Sequence, residues 1–203
     1  MNNKITHNEV GGWFNFQDIY NSAVYKADNG STFVEVGTFL GKSALYMMEK
    51  IKDSNKQIKF YCLDLFTITP DEGDGEMPDG SNARIWQEQN GGKDALYNAF
   101  LNNINSSTAK EMLTNHYRCD SAEGAIFFED DSVDFCFIDA SHSYENVYND
   151  LNAWYPKIKN QGILAGHDFA DGLGGVGKAV KQFCSDKNLS YNNNYSFWIQ
   201  INK

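Results

Sequence analysis

The sequence predicts an α/β fold: an open, mostly parallel sheet with helices on both faces. Three features carry that expectation. Short, nearly continuous apolar runs recur along the chain, helix-length segments of 3.6-residue period separate them, and glycine or acidic residues stand where each run ends.

In order along the chain, Phe16 to Ala27 places Phe16, Ile19, Tyr20, Ala23, Val24 and Ala27 on one face of a helix. Thr32–Val36 is a short buried strand, and a glycine turn leads into a helix from about Gly41 to Lys52. Lys59–Leu65 reads as the second strand. Residues 66–91, rich in Gly, Asp, Glu and Pro and without a period, read as a long surface loop and a lid over a ligand site. A helix follows over Asp94–Ile104, then a short strand at Tyr117–Cys119. Val133–Ile138 (VDFCFI) is apolar almost throughout, as a parallel strand covered on both faces should be. Tyr144–Trp154 is a helix stopped by Pro156, Gly162–Gly166 a strand, Val176–Cys184 a helix, and Phe197–Ile201 a final strand.

Composition narrows the ligand. The 203 residues suit a single domain over 1–203, with 1–30 as an N-terminal helical segment. Seventeen Lys+Arg against 27 Asp+Glu give a net charge of -10, which disfavours a nucleic-acid or polybasic membrane surface. Arg84 and Arg118 are the only arginines, too few for a multi-arginine phosphate clamp. Cys62, Cys119, Cys136 and Cys184 are widely spaced with no CxxC pair, so reduced thiols in a cytoplasmic protein are expected. No signal peptide or membrane span is expected, and a homo-oligomer stays open. A small molecule is the favoured ligand class.

In such sheets ligands bind beyond the carboxyl ends of the strands, near the point where strand order reverses. The first loop there is Glu35-Val36-Gly37-Thr38-Phe39-Leu40-Gly41-Lys42-Ser43. A Walker A loop needs four residues between its glycines, and Gly37 and Gly41 have three between them. A dinucleotide fingerprint would need glycine at position 39, which is Phe39. What fits is an acid at a strand end, then G-x-x-x-G entering a helix, with glycines that let backbone approach a ligand. Asp64, ending the second strand, suits the two ribose hydroxyls of a nucleoside. Asp120 or Ser121, after the third, suits an adenine amino group or a helix cap.

The most specific loop follows VDFCFI: Asp139 at the strand end and His142 three residues on, with Gly166-His167-Asp168 ending the next strand in the same way. Neighbouring parallel strands lie about 4.8 Å apart. Asp139, His167 and Asp168 therefore converge, and two carboxylates with an imidazole suit a divalent cation, magnesium or manganese.

With these loops in order the chain resembles the class I S-adenosylmethionine-dependent methyltransferases, in the small branch that includes macrolide-sugar O-methyltransferases. The resemblance runs from about Thr32 to Phe169 on VEVGTFLGKSAL, YCLDLF, RCDSAEGA and VDFCFIDASHSYENVYNDLNAWYPKIKNQGILAGHDF. It implies a Rossmann-like sheet of seven strands, the last antiparallel. It implies an S-adenosylmethionine site at Glu35, Gly37, Thr38, Gly41, Ser43, Asp64, Asp120, Ser121 and Asp139. It makes Asp139 and Asp168 metal ligands and His142 the catalytic base, acting on a hydroxyl of a sugar or natural-product acceptor. The sequence departs from the pattern at His167, where those relatives carry a carboxylate. Imidazole binds Mg²⁺ poorly and Mn²⁺, Fe²⁺ or Zn²⁺ better. Two alternatives stand beside this reading: an inactive S-adenosylmethionine-binding partner protein, and a metal-dependent oxygenase on the same sheet.

Overall fold

The computed structural model of the chain describes residues 4–68, 76–169 and 174–203. Six strands form one sheet: β1 (Thr32–Val36), β2 (Lys59–Asp64), β3 (Leu113–Arg118), β4 (Val133–Ile138), β5 (Ile158–Phe169) and β6 (Asn192–Gln200). Their order is β3-β2-β1-β4-β5-β6, with β6 antiparallel to β5 and all other pairs parallel. The helices are α1 (Gln17–Lys26), α2 (Lys42–Ser54), α3 (Ala83–Gln89), α4 (Ala95–Ser106), α5 (Tyr144–Trp154) and α6 (Val176–Lys187). The Rossmann-like class, the parallel body and the antiparallel last strand are as expected. In place of the seven strands that the resemblance implied, the described residues form six, because a single strand follows α6 and pairs directly with β5.

Period-two alternation sorts the strands' side chains into two cores. Phe33, Phe60, Phe135 and Phe137 point to the face covered by α1, α2 and α4. Val34, Val36, Cys136, Ile138 and Leu164 point to the other, under α5 and α6. Both faces are buried, and each large side chain so buried contributes about 1.5–3 kcal/mol. Glu35 shares the α1 side with Phe33, the one acid inside an otherwise apolar strand. Order reverses between β1 and β4, so the loops after these two strands part to opposite faces and leave a crevice at the carboxyl edge.

The polar elements depart from expectation. β3 begins at Leu113, earlier than the predicted Tyr117, and β6 at Asn192, earlier than Phe197. Both are edge strands, so exposed Thr114, Asn115 and Asn192–Asn194 pair by backbone without an apolar signature. β5 extends the predicted 162–166 in both directions. The predicted loop at 66–91 contains α3, whose start is capped by Asn82 accepting from the Ile85 N–H at 2.9 Å. Within that helix only Ala83 is buried, so its period was too weak to read. Most of the acidic 71–76 run lies outside the described residues. Cys62, Cys119, Cys136 and Cys184 are free thiols, and burial pushes each of them upward in pKa.

Candidate active site

Four loops meet at the carboxyl edge. The turn after β1 depends on Gly37, whose φ is +87° and whose missing side chain admits a neighbouring strand end. A Cβ there would stand 2.0 Å from the Asp139 carbonyl oxygen. The Asp139 N–H in turn donates to the Val36 carbonyl at 2.7 Å. Gly41, at φ +90°, then caps the start of α2, where a Cβ would press on the Phe100 ring at 3.1 Å.

The acids on this side have partners within the chain. Glu35 is buried, accepting from the Ser43 hydroxyl at 2.7 Å and the Tyr20 hydroxyl at 2.9 Å. Burial raises its pKa; the two hydroxyls oppose this, and the charges of Asp139 and Asp64 add to it, for a result of about 8. Asp64 accepts the Thr38 N–H at 2.6 Å and the Phe39 N–H at 2.7 Å on Oδ2, and the Phe66 N–H on Oδ1. Three of a carboxylate's roughly four acceptor positions are thus taken by backbone. Burial outweighs these hydrogen bonds and leaves Asp64 raised. Thr38 is buried, with its hydroxyl on the Leu63 carbonyl at 3.3 Å.

After β3, the Oδ1 of exposed Asp120 accepts the Ala122 and Glu123 N–H groups at 3.0 and 3.2 Å, capping a 3-10 turn over Glu123–Phe127. Ser121 donates to Asp150 of α5 at 2.6 Å, and the Trp154 indole N–H donates to the Ser121 carbonyl at 3.0 Å.

The ends of β4 and β5 carry the remaining chemistry. Asp139, His142 and Asp168 each offer one ligand atom within 4.8 Å of the others. The His142 Nε2 lies 2.9 Å from Asp168 Oδ2. His167 stands beside this group, with Nδ1 at 3.2 Å from Asp168 Oδ2 and Nε2 at 2.7 Å from Asn15 Oδ1. Its ring packs on Phe16 at 4.9 Å, and Phe16 itself stacks on Phe137. His142 thus joins Asp139 and Asp168 within ligand reach, and His167, expected from sequence as a ligand, lies beside them with Nδ1 3.8 Å from Asp139 Oδ1.

Electrostatics follow that layout. Burial pushes Asp139 up to about 6 against the pull of His167. Hydrogen bonds from His142 first and His167 second hold Asp168 well below the ordinary carboxylate range. Burial depresses His167, but its hydrogen bond to Asp168 and the charges of Asp139 and Asp168 prevail and leave it raised. Asp168 takes φ +55°, a left-handed conformation that costs an acid energy and aims its side chain back at His142. The Gly175 N–H donates to the His142 carbonyl at 2.6 Å, and a Cβ on Gly175 would strike the Tyr144 nitrogen at 2.0 Å.

Two residues at this edge had not been singled out from sequence. Asn15 leaves no signal, since its contact with His167 spans most of the chain. Asp150 does leave one: it falls in helical register with Val147, Leu151 and Trp154, an acid on an apolar face.

A Rossmann-like sheet with a glycine turn, strand-end acids and a histidine–carboxylate group at its switch point defines the methyltransferase class. The family described as "Methyltransferase domain" matches residues 34–169, and the chain belongs to it. An uncharacterised protein of Acanthamoeba polyphaga mimivirus is 31% identical over 144 residues, 69% of this chain; the chain spans 52% of that relative's length. The fold is shared with the O-methyltransferase NovP, at TM-score 0.67 and 14% identity, covering 92% of this chain and 79% of NovP. It is shared too with a TDP-rhamnose 3'-O-methyltransferase of calicheamicin biosynthesis, at TM-score 0.58 and 12% identity over 92% and 77% of the two chains. A SAM-dependent O-methyltransferase of Thermotoga maritima gives TM-score 0.57 at 10% identity over 95% and 68%.

Proposed function

We propose that the chain is an S-adenosylmethionine-dependent methyltransferase that methylates a hydroxyl oxygen of a small sugar or natural-product acceptor. The observation that carries this is the meeting of the glycine turn, Asp64 and Asp139 with the His142–Asp168 pair at one sheet edge. Burial raises the pKa of Glu35, Asp64 and Asp139, and the charges of Asp139 and Asp64 add to the rise at Glu35, a crowding of carboxyls that a cationic ligand would relieve. That donor set fits the cofactor, which when bound supplies a methyl group activated on a sulfonium.

The chain's own part is alignment and proton removal. The turn from Gly37 to Gly41 and the N-terminus of α2 give the cofactor its backbone walls. Asp64, with three acceptor positions taken by backbone N–H groups, would offer its remaining one to a ribose hydroxyl, and Asp139 would face the same cofactor. His142, oriented by Asp168, takes the acceptor's proton as the oxygen attacks; a general base of this kind is worth about 10²–10⁴-fold. The fold shared with a TDP-rhamnose 3'-O-methyltransferase supports the acceptor class. A cytoplasmic location belongs to the same proposal, supported by four reduced thiols. No helix among the described residues is long and apolar enough to cross a membrane.

A second reading has its own observation, the ligand atoms of Asp139, His142 and Asp168 within 4.8 Å. These three would hold a divalent cation, which would lower the acceptor hydroxyl's pKa. His142 then serves as ligand in place of base. Calorimetric titration with S-adenosylhomocysteine, with and without Mn²⁺, tests both readings, followed by turnover on a panel of hydroxylated acceptors. Binding without metal, and at least about 10²-fold loss of transfer in His142→Ala at normal S-adenosylhomocysteine affinity, is expected for the base. Loss of activity in excess EDTA, with Mn²⁺ affinity lost in His142→Ala, favours the cation. Absence of S-adenosylhomocysteine binding removes the proposal altogether.

A further inference from the structure

Asp150 is a carboxyl in the wrong place for packing. It sits on the inner face of α5 between Val147, Leu151 and Trp154, and it is 1% exposed. One oxygen accepts from the Ser121 hydroxyl at 2.6 Å, and among the described residues the other has no hydrogen-bond partner. A buried polar atom without a partner is destabilising, and a leucine at this register position would be the ordinary choice. One turn further along α5, Trp154 donates to the carbonyl of the same Ser121, so both ends of this serine are tied to the helix.

A serine hydroxyl has one hydrogen and two lone pairs. Ser121 gives that hydrogen to Asp150 Oδ1, and can then offer only lone pairs to a ligand. We infer that Asp150 is a positioning residue that fixes Ser121 as a hydrogen-bond acceptor, so that the loop after β3 selects a purine carrying an amino group over one carrying a carbonyl. This rests on the cofactor reading above, in which Ser121 lies at the adenine edge. Asp120 cannot replace it through Oδ1, which caps the turn over Glu123–Phe127. A free serine could rotate to donate to a 6-oxo group, whereas one held by Asp150 meets that oxygen with its own lone pairs.

The test compares S-adenosylhomocysteine with S-inosylhomocysteine, which differ at the 6-position, by calorimetry on wild type, Asp150→Leu, Asp150→Asn and Ser121→Ala. Wild type is expected to prefer the amino compound by about tenfold or more, since a site built on hydrogen bonding leaves a mismatched group unpaired. Asp150→Leu and Ser121→Ala should both shrink the preference to about threefold or less, and Asp150→Asn, whose carboxamide oxygen still accepts, should keep most of it. A purely structural loosening would weaken both ligands alike. Full preference surviving in Ser121→Ala overturns the inference, and that variant decides the matter if Asp150→Leu does not fold. Equal binding of both ligands by wild type overturns it while leaving the cofactor site standing. Wild type binding neither ligand removes the cofactor reading and this inference with it.

Discussion

The carboxyl edge of the sheet holds two groups of acids that look alike in sequence and differ in what satisfies them. At the ends of β1 and β2, Glu35 and Asp64 have their oxygens taken by Ser43, Tyr20 and three backbone N–H groups. At the ends of β4 and β5, Asp139 and Asp168 meet histidines and keep about a quarter of each side chain exposed. The first group braces the glycine turn with one Asp64 acceptor position to spare; the second keeps more of its acceptor positions open, which the proposed function uses. A strand-end acid in a fold of this kind is therefore identified as a ligand residue by its open acceptor positions, and strand-end placement by itself is not enough.

The contrast is broken most severely where the two groups touch. Gly37→Ala puts a methyl 2.0 Å from the Asp139 carbonyl, on a backbone at φ +87°. Left-handed strain alone costs about 1–3 kcal/mol, and the clash must also push β1 and β4 apart. We expect a fall in melting temperature on the order of 10 °C, at about 2–4 °C per kcal/mol for a chain this size, and loss of S-adenosylhomocysteine binding. A variant that melts and binds like wild type would show that the two groups are not joined through this contact.

A smaller effect separates brace from reactive group by pH. Glu35 holds its proton up to about 8 in the fold, while its ordinary value is 4.5. The folded chain therefore binds more protons than the unfolded one between those limits, and stability falls as pH rises from about 4.5 to 8. Asp150, raised to about 7, and Asp139, raised to about 6, act in the same sense. Asp168 is opposite in sign: its lowered pKa gives stability above the ordinary carboxylate range that is lost as pH falls below it. Glu35→Gln should flatten the decline in melting temperature between pH 4.5 and 8 and leave the acid limb unchanged. An unaltered slope would mean that Glu35 is ionised in the fold after all.

How much of this was legible follows from the kind of signal each part leaves. The predicted bounds of β1, β4 and α5 match the structure because β1 and β4 lie mid-sheet with both faces buried, and α5 presents a buried Val147, Leu151 and Trp154 stripe between the Ser143 cap and Pro156. α3 and the outer halves of β3 and β6 are held by backbone pairing and a cap, which polar residues satisfy as well as apolar ones. The carboxyl-edge loops were legible because strand ends converge by topology. Their internal hydrogen bonds were not, since Tyr20 reaching Glu35 or Asn15 reaching His167 depends on how remote segments pack. Asp150 lay between these cases: its register was visible, and its partner on the loop after β3 was not.

The smallest effect lies at Asp120, where the ligand and capping readings of one residue can be set against each other. Its Oδ1 holds two N–H groups of the turn over Glu123–Phe127, and Asp120 is otherwise exposed, so Asp120→Ala removes a cap from a short element. A lost cap costs about 1 kcal/mol, which corresponds to roughly 2–4 °C. Asp120→Asn keeps an accepting oxygen and should recover most of this, because the backbone N–H groups require an acceptor and not a charge. If the residue only caps, S-adenosylhomocysteine affinity should follow stability and return with asparagine. If its second oxygen also binds the cofactor, affinity in Asp120→Ala should fall by more than the melting shift accounts for, and the preference for S-adenosylhomocysteine over S-inosylhomocysteine should fall with it. That outcome would place Asp120 with Asp139 and Asp168 among the acids left open for chemistry, and would move the boundary between the two groups to the end of β3.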